Sequence, residues 1–301
     1  MAKILIATSS FNRRDPVFLK YAVRENEFIF NPYGRKLKKE ELLSLAADVR
    51  GIIAGTEEIS RDVLKKLPHL RVISRCGVGM DNVDLKACDD LGIRVYNTPS
   101  APTIAVAELT VGLMLDLLRM ISRSDRGIRE EKWHKFMGSL LTGKKIGIIG
   151  FGRIGKDVAR LLFPFKCGIY YYDPLVRRIK TEAKRLPFNR LLKEADIVTI
   201  HADVRKSIIG GKELDLMKKS ACIINTSRGK AIDEKALFRA LKKGRLAGAA
   251  LDVYSIEPYC GALRGLDNTV LTAHIGSYAQ ESRADMERES LNNLFKGLKG
   301  R

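Results

Sequence analysis

Three side chains suited to handling a small organic acid follow three successive strand-like runs in the C-terminal half of this 301-residue chain. Arg228 lies in Asn225-Thr226-Ser227-Arg228-Gly229, Glu257 in Ser255-Ile256-Glu257-Pro258, and His274 in Thr272-Ala273-His274-Ile275-Gly276-Ser277. The planar fork of arginine holds a carboxylate through paired hydrogen bonds. Histidine, with an unperturbed pKa of about 6.5, exchanges protons near working pH, and a neighbouring carboxylate tunes that exchange. Open α/β sheets place ligands beyond the carboxyl ends of their strands, which is where all three residues fall. Taken singly, each has a structural alternative: Arg228 as a salt-bridge partner, Glu257 as a loop acid, His274 as a turn residue. Of the other histidines, His69 at a strand entry and His134 in a surface segment are expected to be structural.

A second constellation precedes these. The run Lys145-Ile146-Gly147-Ile148-Ile149 leads into Gly150-Phe151-Gly152-Arg153-Ile154-Gly155 and then into a helical stretch, Lys156–Leu162. A lone GxGxxG is weak evidence, but here it follows a strand and opens a helix. In that context Gly150 permits a tight turn, Gly152 admits a pyrophosphate to the backbone, and Gly155 lets helix and strand pack closely. The helix N-terminus offers unpaired N–H groups and a partial positive charge to phosphates. Asp173 follows the next strand, 23 positions after Gly150, near the spacing of an acid that bonds a ribose 2′-hydroxyl. Its charge would repel a 2′-phosphate, so NAD is expected, with Arg177 and Arg178 just behind it keeping NADP as the alternative.

The elements that must position these residues alternate along the whole chain. Strand-like runs read Ile4–Ala7, Gly51–Ala54, Arg71–Ser74 and Ile93–Tyr96, then Lys145–Ile149, Ile169–Tyr172, Ile197–Ile200, Ala221–Asn225, Gly248–Val253 and Val270–Leu271. Helical patterns lie between them, including Lys39–Ala47 and Ser60–Lys66, which predicts parallel sheets built of βα units. The segment Asn97-Thr98-Pro99-Ser100-Ala101-Pro102 breaks the pattern and marks a domain crossing. A helix is predicted from Thr103 to Ile121 with Thr103 as its N-cap, and an amphipathic one over Ala279–Lys296.

Composition narrows the function classes. With 45% hydrophobic residues and 9 prolines the chain can build full cores, and at 301 residues two domains are expected. No apolar run nears the roughly 20 residues of a membrane span, and the apolar start of the chain is too short for a signal peptide, so a cytoplasmic protein is expected. The five scattered cysteines (Cys76, Cys88, Cys167, Cys222, Cys260) form no CxxC pair, which points to free thiols and to no metal site. The net charge of +19 suits either a solvated basic surface or steering of an anionic substrate. Without a long basic arm or an aromatic-interleaved patch, nucleic acid is not the expected partner.

The sequence resembles the D-isomer-specific 2-hydroxyacid dehydrogenases, in particular their phosphoglycerate dehydrogenase branch, over nearly its whole length. The resemblance is carried by Arg75-Cys76-Gly77-Val78-Gly79-Met80-Asp81-Asn82-Val83-Asp84, Ala107-Glu108-Leu109-Thr110, the glycine loop, Asn225–Gly229, Leu251-Asp252-Val253, Glu257-Pro258 and His274-Ile275-Gly276-Ser277. It implies an α/β fold of two doubly wound parallel-sheet domains. A flavodoxin-like substrate-binding domain would comprise 1–98 and 277–301, and a Rossmann NAD-binding domain 99–276.

By the same resemblance, Arg228 would bind the substrate carboxylate and carbonyl. His274 would be the acid/base, with Glu257 bonded to it and raising its pKa. Val78 and Gly79 would offer backbone N–H groups to the carboxylate, and Arg75 would lie near a substrate phosphate. Arg153 and Ile154 would touch the cofactor pyrophosphate and Asp252 the nicotinamide amide. His201, Thr226, Ser227 and Gly276 would complete the cofactor site beside His274. Closure of the two domains, hinged near Thr98 and Gly276, and a homodimer using the Thr103–Ile121 helix are further implications.

The sequence departs from the family after His201. The usual His-x-Pro-Leu run reads His201-Ala202-Asp203-Val204 here, which alters a loop beside the nicotinamide ribose. Where the branch often has a second arginine, the chain reads Ile53-Ala54-Gly55-Thr56, with Arg50 and Arg61 as the nearest basic residues. The branch resemblance nevertheless implies 3-phosphoglycerate as substrate and a place in serine biosynthesis, with hydroxypyruvate or glyoxylate reduction as the alternative. No regulatory domain is expected after residue 301, and hence no feedback by serine through one. A non-enzymatic NAD-sensing protein of corepressor type is the competing class, since such relatives can retain the same three residues.

Overall fold

Short runs of aliphatic and β-branched residues, bounded by turns, become parallel strands buried on both faces. Gly51–Ala54, Ile197–Ile200, Cys222–Asn225 and Gly248–Leu251 are buried at every position, as expected of sheets covered by helices on both sides. The computed structural model describes residues 2–13, 15, 16, 18, 20, 26–176 and 182–299. Arg177 and Arg178, which bear on NADP, lie outside them. The chain divides into two units, Met1–Pro102 with Ser277–Arg301, and Thr103–Gly276.

In the first unit β1 (Ala2–Ile6), β2 (Asn26–Phe30), β3 (Gly51–Ala54), β4 (Val72–Arg75) and β5 (Arg94–Tyr96) pair in the order β2-β1-β3-β4-β5, all parallel. This is the flavodoxin-like order. One face packs Leu5, Ile52 and Ile73 with helical Leu42, Val63 and Ala87. The other is covered by the C-terminal helix Gln280–Leu298, whose Met286, Leu291 and Leu294 pack with Ile4, Ile6 and Val72. The edge strand β2, only partly buried, is not among the strands read from the sequence.

In the second unit β6 (Lys145–Ile149), β7 (Gly168–Tyr172), β8 (Lys184–Arg185), β9 (Ile197–Ile200), β10 (Cys222–Asn225), β11 (Gly248–Leu251) and β12 (Thr269–Leu271) run in the order β12-β11-β10-β9-β6-β7-β8. All pairs are parallel. Two three-strand halves diverge from β6 and β9, as in the doubly wound dinucleotide fold, with β12 added at one edge. The order reverses between β6 and β9, so the ligand crevice is expected past their carboxyl ends.

Two elements differ from expectation. The predicted helix Thr103–Ile121 ends at Arg119, and Thr103 is its first helical residue rather than its cap. Met120 adopts a left-handed conformation (φ 55°), and a second helix, Ile121–Arg129, restarts the chain. The Asp116 carboxylate accepts hydrogen bonds from the Ser122 backbone N–H (2.8 Å) and from its hydroxyl. These bonds satisfy the new helix start, and the apolar period read from the sequence runs straight across the break. The strand predicted to reach Val253 stops at Leu251, because Asp252 turns to serve the loop after β12.

Among the described residues, no helix is long and apolar enough to cross a membrane, and no group of three or more His, Cys, Asp or Glu could hold a metal ion.

Candidate active site

The glycine loop sits at the switch point, and its three glycines meet three different constraints. Gly150 has φ +89°, and a Cβ there would lie 2.5 Å from the Ala202 nitrogen and 2.7 Å from the His201 carbonyl carbon. Any side chain would collide with the backbone leaving β9, and the conformation itself favours glycine. At Gly155 a Cβ would come within 2.3 Å of the Gly150 oxygen, so this glycine lets the helix Arg153–Leu162 seat against the loop. A Cβ at Gly152 would meet nothing within 4 Å. Packing does not require that glycine; the open space above it is where a pyrophosphate would rest.

Asp173, at the end of β7, is buried. Its Oδ2 accepts the Phe151 N–H (2.8 Å), and its Oδ1 accepts those of Leu175 (2.8 Å) and Val176 (3.0 Å). The acid therefore ties the glycine loop to the β7 loop, and the remaining lone pairs of its carboxylate can accept a ribose hydroxyl. Open space over Gly152, the helix N-terminus at Arg153 and Ile154, and an acid at the β7 end together fit a dinucleotide.

Past β9 and β10 lies a chain of polar side chains. Thr199 Oγ1 is 2.9 Å from His201 Nε2, His201 Nδ1 is 3.5 Å from Thr226 Oγ1, and Thr226 Oγ1 is 3.0 Å from Thr110 Oγ1. Thr110 in turn donates to the Val106 carbonyl (2.8 Å). Burial pushes the His201 imidazole down to about 3, so it stays neutral. His201 and Thr226 thus share one network, anchored on the helix Thr103–Arg119 through Thr110, a residue that spacing in the sequence does not single out.

The three chemical residues come from the ends of β10, β11 and β12. His274, with φ 54°, places Nδ1 2.8 Å from Glu257 Oε2, and Glu257 Oε1 accepts the Tyr254 N–H (3.0 Å). The bond to Glu257 raises the His274 pKa; burial and the Arg228 charge oppose it without cancelling it. Burial pushes Glu257 up, but its bonds to His274 and to the Tyr254 N–H bring it out below the ordinary carboxylate range.

Arg228 is held by its own loop. Asn225 Nδ2 donates to the Arg228 carbonyl (2.9 Å), Asn225 Oδ1 accepts the N–H (3.1 Å) and hydroxyl (2.8 Å) of Ser227, and Arg228 Nη1 donates to the Ser227 carbonyl (2.9 Å). A Cβ at Gly229 would lie 1.9 Å from the Tyr254 carbonyl carbon. Glycine there brings the Arg228 loop directly against the loop carrying Glu257.

Asp252 is 1% exposed. Its Oδ1 accepts the Thr272 hydroxyl (2.6 Å) and the Ile275 N–H (2.8 Å), and its Oδ2 accepts the Gly276 N–H (2.9 Å). It thereby sets the turn that presents His274, a role the sequence expectation did not include. Tyr254, Asn225, Thr272 and Asp203 are the other residues at this site that the sequence reading did not assign a role. For Asp203 the signal was its replacement of the family's proline, and for Asn225 its place in the run that carries the resemblance.

Arg75, Val78 and Gly79 belong to the first unit. The Arg75 guanidinium lies over Gly77 (φ +147°), where a Cβ would fall 1.2 Å from Nη1, and Nη1 donates to the Cys76 carbonyl (2.6 Å). Val78 is exposed in the next turn of chain, and its carbonyl accepts from Asn97 Nδ2 (2.8 Å).

Residues 111–276 match the family model of the D-isomer specific 2-hydroxyacid dehydrogenase NAD binding domain, and the chain belongs to the D-isomer-specific 2-hydroxyacid dehydrogenases. It is 42% identical over 276 residues to a D-3-phosphoglycerate dehydrogenase of Methanocaldococcus jannaschii, covering 88% of this chain and 52% of that protein. It is 35% identical to a hydroxypyruvate reductase of Thermotoga maritima, covering 87% of this chain and 89% of that protein. The chain spans about half the length of the phosphoglycerate dehydrogenase relatives it matches. The crystal structure of a glyoxylate reductase from Paecilomyes thermophila superimposes with a TM-score of 0.88 at 31% identity, covering 99% of this chain and 95% of that one.

Proposed function

We propose that this protein interconverts a small D-2-hydroxy acid and its 2-keto acid with NAD, with the head-group chemistry shared by phosphoglycerate dehydrogenases and by hydroxypyruvate and glyoxylate reductases. The observation that carries the reading is the His274–Glu257 pair at 2.8 Å, with Arg228 close enough for its charge to act on the imidazole.

Glu257 occupies Nδ1 of His274 and so leaves Nε2 for the substrate. In keto-acid reduction, protonated His274 gives its proton from Nε2 to the C2 oxygen; in hydroxy-acid oxidation, neutral His274 takes it back. Glu257 stabilises the imidazolium and keeps the acid form available into the neutral range. Arg228 holds the substrate carboxylate and polarises the C2 oxygen through its fork. Gly150, Gly152, Gly155, Arg153, Ile154, Asp173, His201, Thr226, Ser227, Asp252 and Gly276 line or shape the NAD site. When bound, NAD supplies the nicotinamide that carries the hydride.

In the first unit, Arg75, Val78 and Gly79 are proposed to receive the anionic part of the substrate. A homodimer is proposed as well, with the exposed apolar side chains of Ile121, Ile128, Trp133 and Met137 as its contact. Light scattering would test it, and a monomer at micromolar concentration would refute it.

The function is tested by following NADH absorbance with glyoxylate, hydroxypyruvate and pyruvate, and NAD reduction with 3-phosphoglycerate. Turnover with at least one of them is expected. Tight NADH binding without turnover of any would favour an NAD-sensing protein.

A further inference from the structure

Arg228 makes an ion pair that the family pattern does not provide. Its Nε lies 3.2 Å from Oδ1 of Asp203, in the loop after β9 where the family usually has proline. The Asp203 side chain is 79% exposed and that of Arg228 30%. So exposed a pair contributes little to holding a fold together. Its consequence is electrostatic, because it puts a full negative charge beside the group proposed to clamp the substrate.

The charges at the strand ends are otherwise closely matched. Protonated His274 is paired with Glu257, Arg228 with Asp203, and Asp252 adds a further formal negative charge. These five groups carry two positive and three negative charges, and without Asp203 they would balance. Arg205 and Lys206 are exposed further along the same loop; solvent and salt screen them as they screen Asp203, which differs in lying 3.2 Å from Arg228. A substrate with one carboxylate can be held by the Arg228 fork against this background. A second anionic group held near these strand ends would be repelled by Asp203, whose charge the other four groups, already balanced, do not offset.

We infer that Asp203 is a specificity-determining residue that makes this site prefer short 2-keto acids with an uncharged tail over those with a second anionic group, whether phosphate or carboxylate. This rests on the proposed dehydrogenase function and narrows its substrate class. It also predicts that the uncharged-tail substrates among the relatives' activities, rather than the phosphorylated one, are the good substrates of this chain.

The test compares kcat/KM with NADH for glyoxylate and hydroxypyruvate against oxaloacetate and phosphohydroxypyruvate, in the wild type, Asp203→Asn and Asp203→Glu. Removing one charge from this solvated site should raise the kcat/KM ratio of the two substrates with a second anionic group over the two monoanions about 3- to 10-fold in Asp203→Asn. Asp203→Glu, which keeps the charge, should leave the ratio within about 2-fold of wild type. An unchanged ratio in Asp203→Asn, an equal loss for all four substrates, or an equal change in both variants overturns the inference. In those cases Asp203 merely positions Arg228 or does nothing. Wild-type protein that reduces none of the four overturns the parent function and this inference with it.

Discussion

Each of the two units buries a carboxylate just past the end of one of its parallel strands, and the two are treated in opposite ways. In the second unit Asp252 accepts from a hydroxyl and two backbone N–H groups. In the first, Glu57, following β3, is 1% exposed and accepts the Gly55 N–H (2.8 Å) on Oε1, while Oε2 has no hydrogen-bond partner among the described residues. Burial accordingly pushes the Glu57 carboxyl up. The hydroxyls of Ser74 and Thr98, also in the first unit, are likewise buried without partners among the described residues.

The contrast teaches that the second unit is built ahead of its ligand. His274, the proposed acid–base group, sits in a turn whose Ile275 and Gly276 N–H groups are already satisfied, so little reorganisation would be left for the reaction. The first unit leaves polar groups under-satisfied at the corresponding end of its sheet, a cost a fold tolerates where a site has work to do.

The comparison breaks first at His274. If the pre-set turn serves chemistry, His274→Ala should lower turnover about 10²- to 10⁴-fold and leave NADH affinity within about 2-fold; near-normal turnover would move the chemistry elsewhere. The glycine loop sharpens the same point. Gly150→Ala should lose both NADH binding and thermal stability, because its Cβ meets backbone at 2.5 Å. Gly152→Ala should keep its melting temperature and still weaken NADH binding by about 10-fold or more, since only a ligand claims that space. Equal melting losses in the two variants would show that packing, not a pyrophosphate, explains Gly152.

Next come the two buried acids. Asp252→Asn should destabilise by about 2–4 kcal/mol in urea unfolding at neutral pH, because charge-assisted bonds to the His274 turn are weakened. Glu57→Gln should cost less than about 1 kcal/mol, since a neutral amide replaces a carboxyl that the fold does not favour as an anion. The sign with pH follows from the raised Glu57 pKa. The folded state holds this proton more tightly than the unfolded chain, so stability falls as pH rises from the unfolded carboxyl value to the folded one. Glu57→Gln should flatten that slope, and an unaltered slope would assign it to another group.

The smallest effect concerns the His274–Glu257 pair. The lowered Glu257 value stabilises above the unfolded carboxyl pKa and is lost as pH falls through the folded one. The raised His274 value stabilises below the unfolded imidazole pKa and is lost as pH rises through the folded one. The pair therefore contributes between those limits. Glu257→Gln should move the alkaline limb of keto-acid reduction to lower pH, read from kcat/KM profiles. A limb that stays in place would show that Glu257 does not tune His274.

Much of the fold was legible because its signals are local. Nearly every strand of the second unit was visible as an apolar run bounded by turns, and the glycine loop announced itself by standing between a strand and a helix. What escaped was signalled weakly or overridden locally. The half-buried edge strand β2 lacks the apolar density of the central strands. The break at Met120 falls inside an uninterrupted apolar period, and it depends on Asp116 and Ser122 meeting across the turn.

For the site, residue type and strand-end position were enough to single out Arg228, Glu257 and His274, because an arginine fork, a carboxylate and an imidazole each carry their chemistry wherever the chain puts them. The sequence alone could not decide which groups those three would meet. Asp203 reaches Arg228, Asp252 reaches the Ile275 and Gly276 N–H groups, and Glu257 reaches His274 across 25, 23, 24 and 17 positions of sequence. No periodicity records such distances; only the packing of neighbouring strands, whose ends bring their loops side by side, fixes the partners and with them the charge each group feels.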